Sequence, residues 1–281
     1  MQEQPIRTEH IERFARQMRQ EERSPGTVEK YLRDVRALER WLNGRPVTRE
    51  FVAAWRDRLL ERGLAPSTVN SMLSAANSFL RCLCREDCLV KLLRVQRRTF
   101  REQGRELTRE DYRRLVSAAR SLGRSRLALL LETICSTGIR VSEVRCFTVE
   151  SVARGRAEVR LKGKIRTILI PARLGRKLAK YARKHRIASG EIFLTRGRKS
   201  LSRRQIWREM KDLCQTAGVE KSRVFPHNLR HLFATVFYRA SRDIVKLADV
   251  LGHSSINTTR IYLMTTGEEH ARQLERLGLV T

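Results

Sequence analysis

The chain has 281 residues, with Lys and Arg numbering 59 against 30 Asp and Glu, a formal net charge of +29. That length supports two domains with separate cores, while the lack of any apolar run of about 18 residues, or of an apolar stretch behind Met1, predicts a cytosolic protein with no membrane span. Arg far outnumbers Lys, and guanidinium groups bind phosphate oxygens two at a time without losing charge, so the expected partner is nucleic acid rather than a membrane surface.

The first hundred residues read as four helices. A charged helix covers about 8–22. Ser24-Pro25 supplies a cap and a first-turn proline for a second, ending near Asn43-Gly44, with Val28, Tyr31, Leu32, Val35, Leu38, Trp41 and Leu42 on one stripe. Thr48 caps a third that reaches Arg62-Gly63, and Ala65-Pro66-Ser67 opens a fourth whose buried side carries Val69, Met72, Leu73, Ala76, Phe79, Leu80 and Leu83. Residues 94–105 then break the periodicity with five arginines, Arg94, Arg97, Arg98, Arg101 and Arg105, against one glutamate. This stretch is the predicted linker between a helical domain at 1–93 and a second domain at 106–281, and it suits a path along phosphates.

Thr108-Arg-Glu-Asp111 is a capping-box pattern opening the second domain, and an apolar helix over Leu127–Ile134 stops at Thr137-Gly138. A short helix is expected at about 141–147. Residues 157–161 and 166–170 alternate as two strands around Lys162-Gly-Lys-Ile165, a small antiparallel hairpin with lysines near its tip. Further helices are expected at about 172–186, 202–217, 227–240 and 242–251, then a helical piece to Tyr262 and an amphipathic segment at about 267–277. The fold class is therefore mainly α with one small antiparallel hairpin. Six cysteines in a chain with no export signal read as reduced thiols. The group Cys82, Cys84 and Cys88 lacks C-x-x-C spacing and a nearby fourth ligand, so no metal is expected.

The chemistry concentrates in Phe225-Pro-His-Asn-Leu-Arg-His231 and Leu251-Gly-His253, followed nine residues later by Tyr262. Breaking a phosphodiester without metal needs a nucleophile, a proton donor for the leaving oxygen, and cations around the non-bridging oxygens. This chain has a candidate for each. It has no G-x-x-x-x-G-K-[ST] loop and no evident paired-carboxylate metal site, which suits chemistry that needs neither ATP nor cofactor. Taken singly, each residue has a plain structural reading: Arg140 at a helix start, Lys164 in a turn, His227 as a cap, His253 at a helix end, Tyr262 as a half-buried aromatic.

Their order is what carries a resemblance. Thr137-Gly-Ile-Arg140-Val-Ser-Glu143 resembles the first arginine box of the tyrosine recombinases, the phage-type integrases. Gly163-Lys164 before a strand resembles their lysine hairpin, and His227-x-x-Arg230-His231, Leu251-Gly-His253 and Tyr262 complete the set. The sharp matches span about 137–262; the N-terminal helices are similar to that family's core-DNA-binding domain in size, helicity and charge. The resemblance implies a two-domain clamp on duplex DNA, like the simpler members without a separate arm-binding domain. It implies that Arg140 and Arg230 clamp the scissile phosphate, Lys164 protonates the leaving 5′ oxygen, and His227 and His253 hydrogen-bond the phosphate. His227 is also the proton acceptor, Tyr262 attacks, Glu143 orients its neighbours, and His231 is structural.

The same resemblance implies a 3′-phosphotyrosyl intermediate and a homotetramer on two DNA sites, with an accessory directionality protein possible. The task would be integration or excision of a mobile element, or resolution of DNA molecules. The hairpin departs from the family's G-K-G-x-K-x-R by being shorter, which leaves Lys162 as a rival to Lys164, and Leu263-Met264 stand where Thr-His is common. Ala271, Leu274, Leu277 and Leu279 form a candidate stripe for packing on a neighbouring protomer or on the chain's own domain. Two alternatives share the charge: a type IB topoisomerase-like enzyme that relaxes supercoils, and a DNA-binding regulator that makes no covalent bond.

Overall fold

Apolar stripes at helical spacing, each opened by a recognisable cap, build the first of two compact units, Met1–Arg97, in a computed structural model; the second is Arg98–Thr281. The structure describes residues 5–95, 104, 106–161, 164–263 and 275–277. Among them no helix is long and apolar enough to cross a membrane. The first unit contains α1 (Thr8–Gln20), α2 (Pro25–Leu42), α3 (Arg49–Glu61) and α4 (Pro66–Cys82). Ser24 caps α2 with Pro25 in its first turn, Asn43 ends it in the left-handed region, and the Thr48 hydroxyl accepts from the Phe51 amide at the start of α3. Leu38, Leu42, Val52, Trp55, Leu73 and Leu80 form one core, and Phe14 meets Phe79 edge-on at 5.4 Å in another.

Two polar features fix this unit's detail. Asp34 is buried on α2 and is neutralised by Lys30 at 2.7 Å and Arg33 at 3.1 Å. Asn70 and Asn77, two turns apart on α4, each exchange a pair of hydrogen bonds with the backbone of the chain leaving the unit, Asn70 with Leu93 and Asn77 with Val90. Side-chain amides stand in for a neighbouring strand, satisfying main-chain groups that would otherwise be buried without partners.

The second unit is built around α6 (Ser125–Thr137), which buries Leu127, Leu130, Leu131 and Ile134 and is apolar nearly all round, as a central helix must be. Packed against it are α5 (Arg109–Ser121), α8 (Ala172–Lys184) and α11 (Pro226–Ser241). The capping box at the start of α5 forms as its sequence predicts: Thr108 and Asp111 exchange side chain-to-amide bonds of 3.0 Å. The remaining elements are α7 (Val149–Ala153), β1 (Arg156–Leu161), β2 (Lys164–Leu169), α9 (Arg203–Lys211), α10 (Cys214–Ala217), α12 (Ile244–Leu251) and α13 (Ile256–Arg260).

Three expectations change. The segment expected as a helix at about 141–147 is a 3-10 helix, Val141–Cys146, whose N-terminal end is closed by the Glu143 carboxylate on the Arg140 amide. The helix expected over 202–217 is interrupted at Asp212 and Leu213, where helical dihedrals persist but the Leu213 amide bonds back to Met210 in a tighter turn. The hairpin pairs Leu161 with Lys164 and Arg160 with Ile165, so Lys164 and Ile165, assigned from sequence to the turn, begin β2. Cross-strand pairing carries those residues into the ladder although Ile165 itself is exposed. Arg97, Arg98, Arg101 and Arg105, Lys162 and Gly163, and Ala271, Leu274 and Leu279 lie outside the described residues; Arg94 and Leu277 are exposed.

Candidate active site

Four segments of the second unit, far apart in sequence, converge at one place. Gly138 ends α6 in the left-handed region (φ +63°), and its carbonyl accepts a hydrogen bond from Arg230 Nη1 on α11. Leu251 ends α12, and its carbonyl accepts from Arg230 Nη2 at 2.8 Å. Helix C-termini expose carbonyls without intrahelical partners and carry the negative end of the helix dipole. Two such ends therefore hold a guanidinium that is only 1% exposed and has no carboxylate bound to it among the described ion pairs.

Arg230 Nη2 also lies 2.9 Å from His253 Nε2. A guanidinium can only donate, so this imidazole nitrogen accepts and bears no proton. Its proton is then on Nδ1, which donates to the buried Thr259 hydroxyl at 2.8 Å. The same tautomer agrees with the electrostatics. Burial first, and then the guanidinium groups of Arg230, Arg140 and Arg166, pull His253 down to about 4, so the ring is neutral at physiological pH. His227, in the first turn of α11 after Pro226, is lowered by the same causes, burial ahead of Arg230 and Arg140.

Tyr262 sits in the 3-10 helix Ile261–Leu263 and is buried, with three imidazoles around its ring: His231 at 5.0 Å, His253 at 5.8 Å and stacked, His227 at 5.9 Å. The phenol is near enough to the Arg230 guanidinium to offset part of the depression that burial imposes on that arginine. Arg140 stands near enough for its charge to act on His227, Arg230 and His253. Its side chain is 38% exposed and donates from Nη1 to Glu143 Oε1 at 3.0 Å, while Glu143 itself is almost fully buried. Lys164 opens β2 opposite Leu161.

The fold thus gathers Arg230, His227, His253 and Tyr262 directly, with Arg140 and Glu143 beside them; Arg94 belongs to the other unit. Sequence reasoning missed two members. Arg166 on β2 donates from Nη2 to Glu143 Oε2 at 2.7 Å and from Nη1 to the Leu251 carbonyl. Its signal was an arginine two residues past Lys164 in an alternating strand. Thr259, which selects the His253 tautomer, had no signal beyond an ordinary helix-turn threonine. No group of three or more His, Cys, Asp or Glu arranged for a metal occurs among the described residues.

Residues 105–269 match the model of the phage integrase family, and residues 11–87 match the phage integrase N-terminal SAM-like domain. The chain belongs to the phage integrase family of tyrosine recombinases. Its relatives include the tyrosine recombinase XerA of Thermococcus kodakarensis, 31% identical with 97% of this chain and 96% of the relative covered. XerA of Pyrococcus furiosus is 29% identical over 100% of this chain and 98% of its own length. Among solved structures, a lambda integrase tetramer bound to a Holliday junction is similar with a TM-score of 0.71 at 19% identity, covering 90% of this chain and 76% of that one. A crystal structure of XerA recombinase is similar with a TM-score of 0.53 at 23% identity, covering 97% and 99%. Tyrosine recombinases are site-specific enzymes of DNA recombination, and these relatives favour that activity over the topoisomerase and regulator readings.

Proposed function

We propose that Tyr262 is the nucleophile of strand cleavage and that the residues gathered around it perform the reaction. The phenolic oxygen attacks the scissile phosphorus, the bond to the 5′ oxygen breaks, and the 3′ phosphate is retained on tyrosine, so a second attack by a 5′ hydroxyl reseals a strand without ATP. His227 accepts the phenol's proton, a role suited to it because burial and two nearby guanidiniums lower its pKa and so favour the unprotonated ring. Arg230 and Arg140 bind the non-bridging oxygens, where charge concentrates in the transition state. As Arg230 Nη2 turns to phosphate, His253 Nε2 is released, and it donates to the same group once the imidazole proton has moved from Nδ1 to Nε2, with the Thr259 hydroxyl then donating to Nδ1. A hairpin lysine, Lys164 or its rival Lys162, supplies the proton to the leaving 5′ oxygen.

The partner in this reading is duplex cytoplasmic DNA, held by a helical domain at 1–93, a linker at 94–105 whose arginines follow phosphates, and a catalytic domain at 106–281. Two similar structures contain lambda integrase on DNA, one a tetramer on a Holliday junction and one a dimer on a core site. They support four protomers acting on two sites. The observation that carries the reading is the buried Tyr262 ring with three imidazoles about it, one of them the His253 that the buried Arg230 guanidinium holds. An oligonucleotide nicked just past the cleavage position traps the intermediate. Wild type should give an adduct that survives denaturation and Tyr262→Phe none; an adduct with Tyr262→Phe, or none with wild type, refutes the assignment.

A further inference from the structure

Arg166 has no part in the chemistry above, yet its guanidinium joins three segments of the site. It stands on β2 opposite Val159, one residue pair along from Ile165. Nη2 donates to Glu143 Oε2 at 2.7 Å, in the turn that carries Arg140, and Nη1 donates to the Leu251 carbonyl, at the turn that carries His253. That carbonyl is the one Arg230 Nη2 also holds, at 2.8 Å. Glycine at 252 is what admits the contact. With φ at +64° it ends α12, and a Cβ there would lie 2.1 Å from Arg166 Cδ and 2.8 Å from its Nη1.

We infer that Arg166 is a positioning residue for strand cleavage, tying the lysine hairpin to the Arg140–Glu143 turn and to the Leu251–His253 turn so that the cations and His253 are held in register. The inference rests on the Tyr262 reading. Glu143 accepts from Arg140 Nη1 and the Arg140 amide as well as from Arg166, so the carboxylate is the shared anchor of two guanidiniums on different elements. Leu251 is the last residue of α12, and bonds from two arginines fix where that helix stops and therefore where His253 begins. A planar fork can hold two acceptors at fixed angles, which a lysine ammonium on a flexible stem does not. Burial lowers Arg166 and Glu143 opposes that effect most strongly, so the charge is maintained by the contact that does the positioning.

The test compares Arg166→Lys and Arg166→Met with wild type and Tyr262→Phe, measuring affinity for the target duplex and single-turnover adduct formation on the nicked oligonucleotide. Affinity should stay within about twofold, because the side chain is turned to protein. Adduct formation should fall on the order of 100-fold in Arg166→Met, the usual effect of small displacements of reacting groups. Arg166→Lys, which keeps a cation opposite Glu143 and so guards against misfolding, should recover only part of that loss. Gly252→Ala should slow adduct formation as well, and the Arg166→Met, Gly252→Ala pair should be no slower than Arg166→Met alone, since the contact at the Leu251–Gly252 turn is already lost in that variant. Wild-type adduct rates in both Arg166 variants, or a loss of affinity equal to the loss of rate, would overturn the inference. Wild type without an adduct would instead refute the Tyr262 reading on which it stands.

Discussion

A charge with almost no access to water is tolerated at Arg230 because its hydrogen bonds go to the ends of two helices and to a histidine nitrogen. The same packing strips water from His253 and sets cations around it, which is why its imidazole is neutral well below the usual range. The sign of the resulting pH dependence follows. An unfolded histidine titrates near ~6.5, so between that pH and about 4 the unfolded chain holds a proton that the folded site refuses. Stability from this group is complete above the upper value and declines as pH falls through the window. His227, lowered for the same reasons, acts in the same direction. The melting temperature of the DNA-free protein should therefore drop on acidification over that range, and His253→Gln should drop less steeply. Parallel curves for the two proteins would show that His253 is not held neutral.

At the scale of elements, the site is an arrangement of helix termini. Three devices end α6 where they do: Thr137, whose hydroxyl returns to the Thr133 carbonyl, the left-handed Gly138, and the packing of that glycine under Phe233 and Leu251. A Cβ on Gly138 would lie 2.3 Å from Phe233 Cδ1 and 2.6 Å from its Cε1, so α11 and α12 can approach α6 only because the residue is glycine. Gly138→Ala should destabilise the protein by about 2–4 kcal/mol, the sum of left-handed strain and overpacking. Gly123→Ala, also left-handed at φ +67° but facing open space, should cost about 1 kcal/mol. Urea midpoints of the two variants decide the matter, and equal shifts would contradict the packing argument. The elements themselves were largely legible. Ser24-Pro25, Thr48 and Thr108-x-x-Asp111 announce α2, α3 and α5 through local chemistry that needs no tertiary contact. The segment 141–146 was not legible as a 3-10 helix, because the Glu143 carboxylate that closes its first turn is also held by Arg166, from a strand 23 residues away.

For the molecule as a whole, the excess of 29 positive charges sits on a chain whose cores are ordinary and apolar, so the charge belongs to its surface chemistry and not to its fold. Binding to DNA through many phosphate contacts should weaken on the order of a thousandfold or more between 50 and 200 mM salt. A flat plot of log K against log salt would mean that the arginines face no phosphates. Arg140→Ala should leave that binding nearly intact while removing cleavage, since one partly exposed guanidinium adds little to a contact of this size but stands beside the reacting group.

The sequence by itself determined the helical stripes, their caps, the two-part organisation of apolar segments, and the ordered residues Arg140, His227, Arg230, His253 and Tyr262 by which the chain resembles its family. Those are properties of short windows, where periodicity of 3.6 or two residues and local capping act without reference to distant chain. Only the tertiary structure decided that Arg230 is sealed between the ends of α6 and α12, that His253 carries its proton on Nδ1 toward Thr259, and that Arg166 bridges Glu143 and Leu251. The partners of Arg230 and Arg166 lie up to 92 residues apart along the chain. Which donor meets which acceptor depends on where whole helices stop, and a linear pattern does not contain that distance.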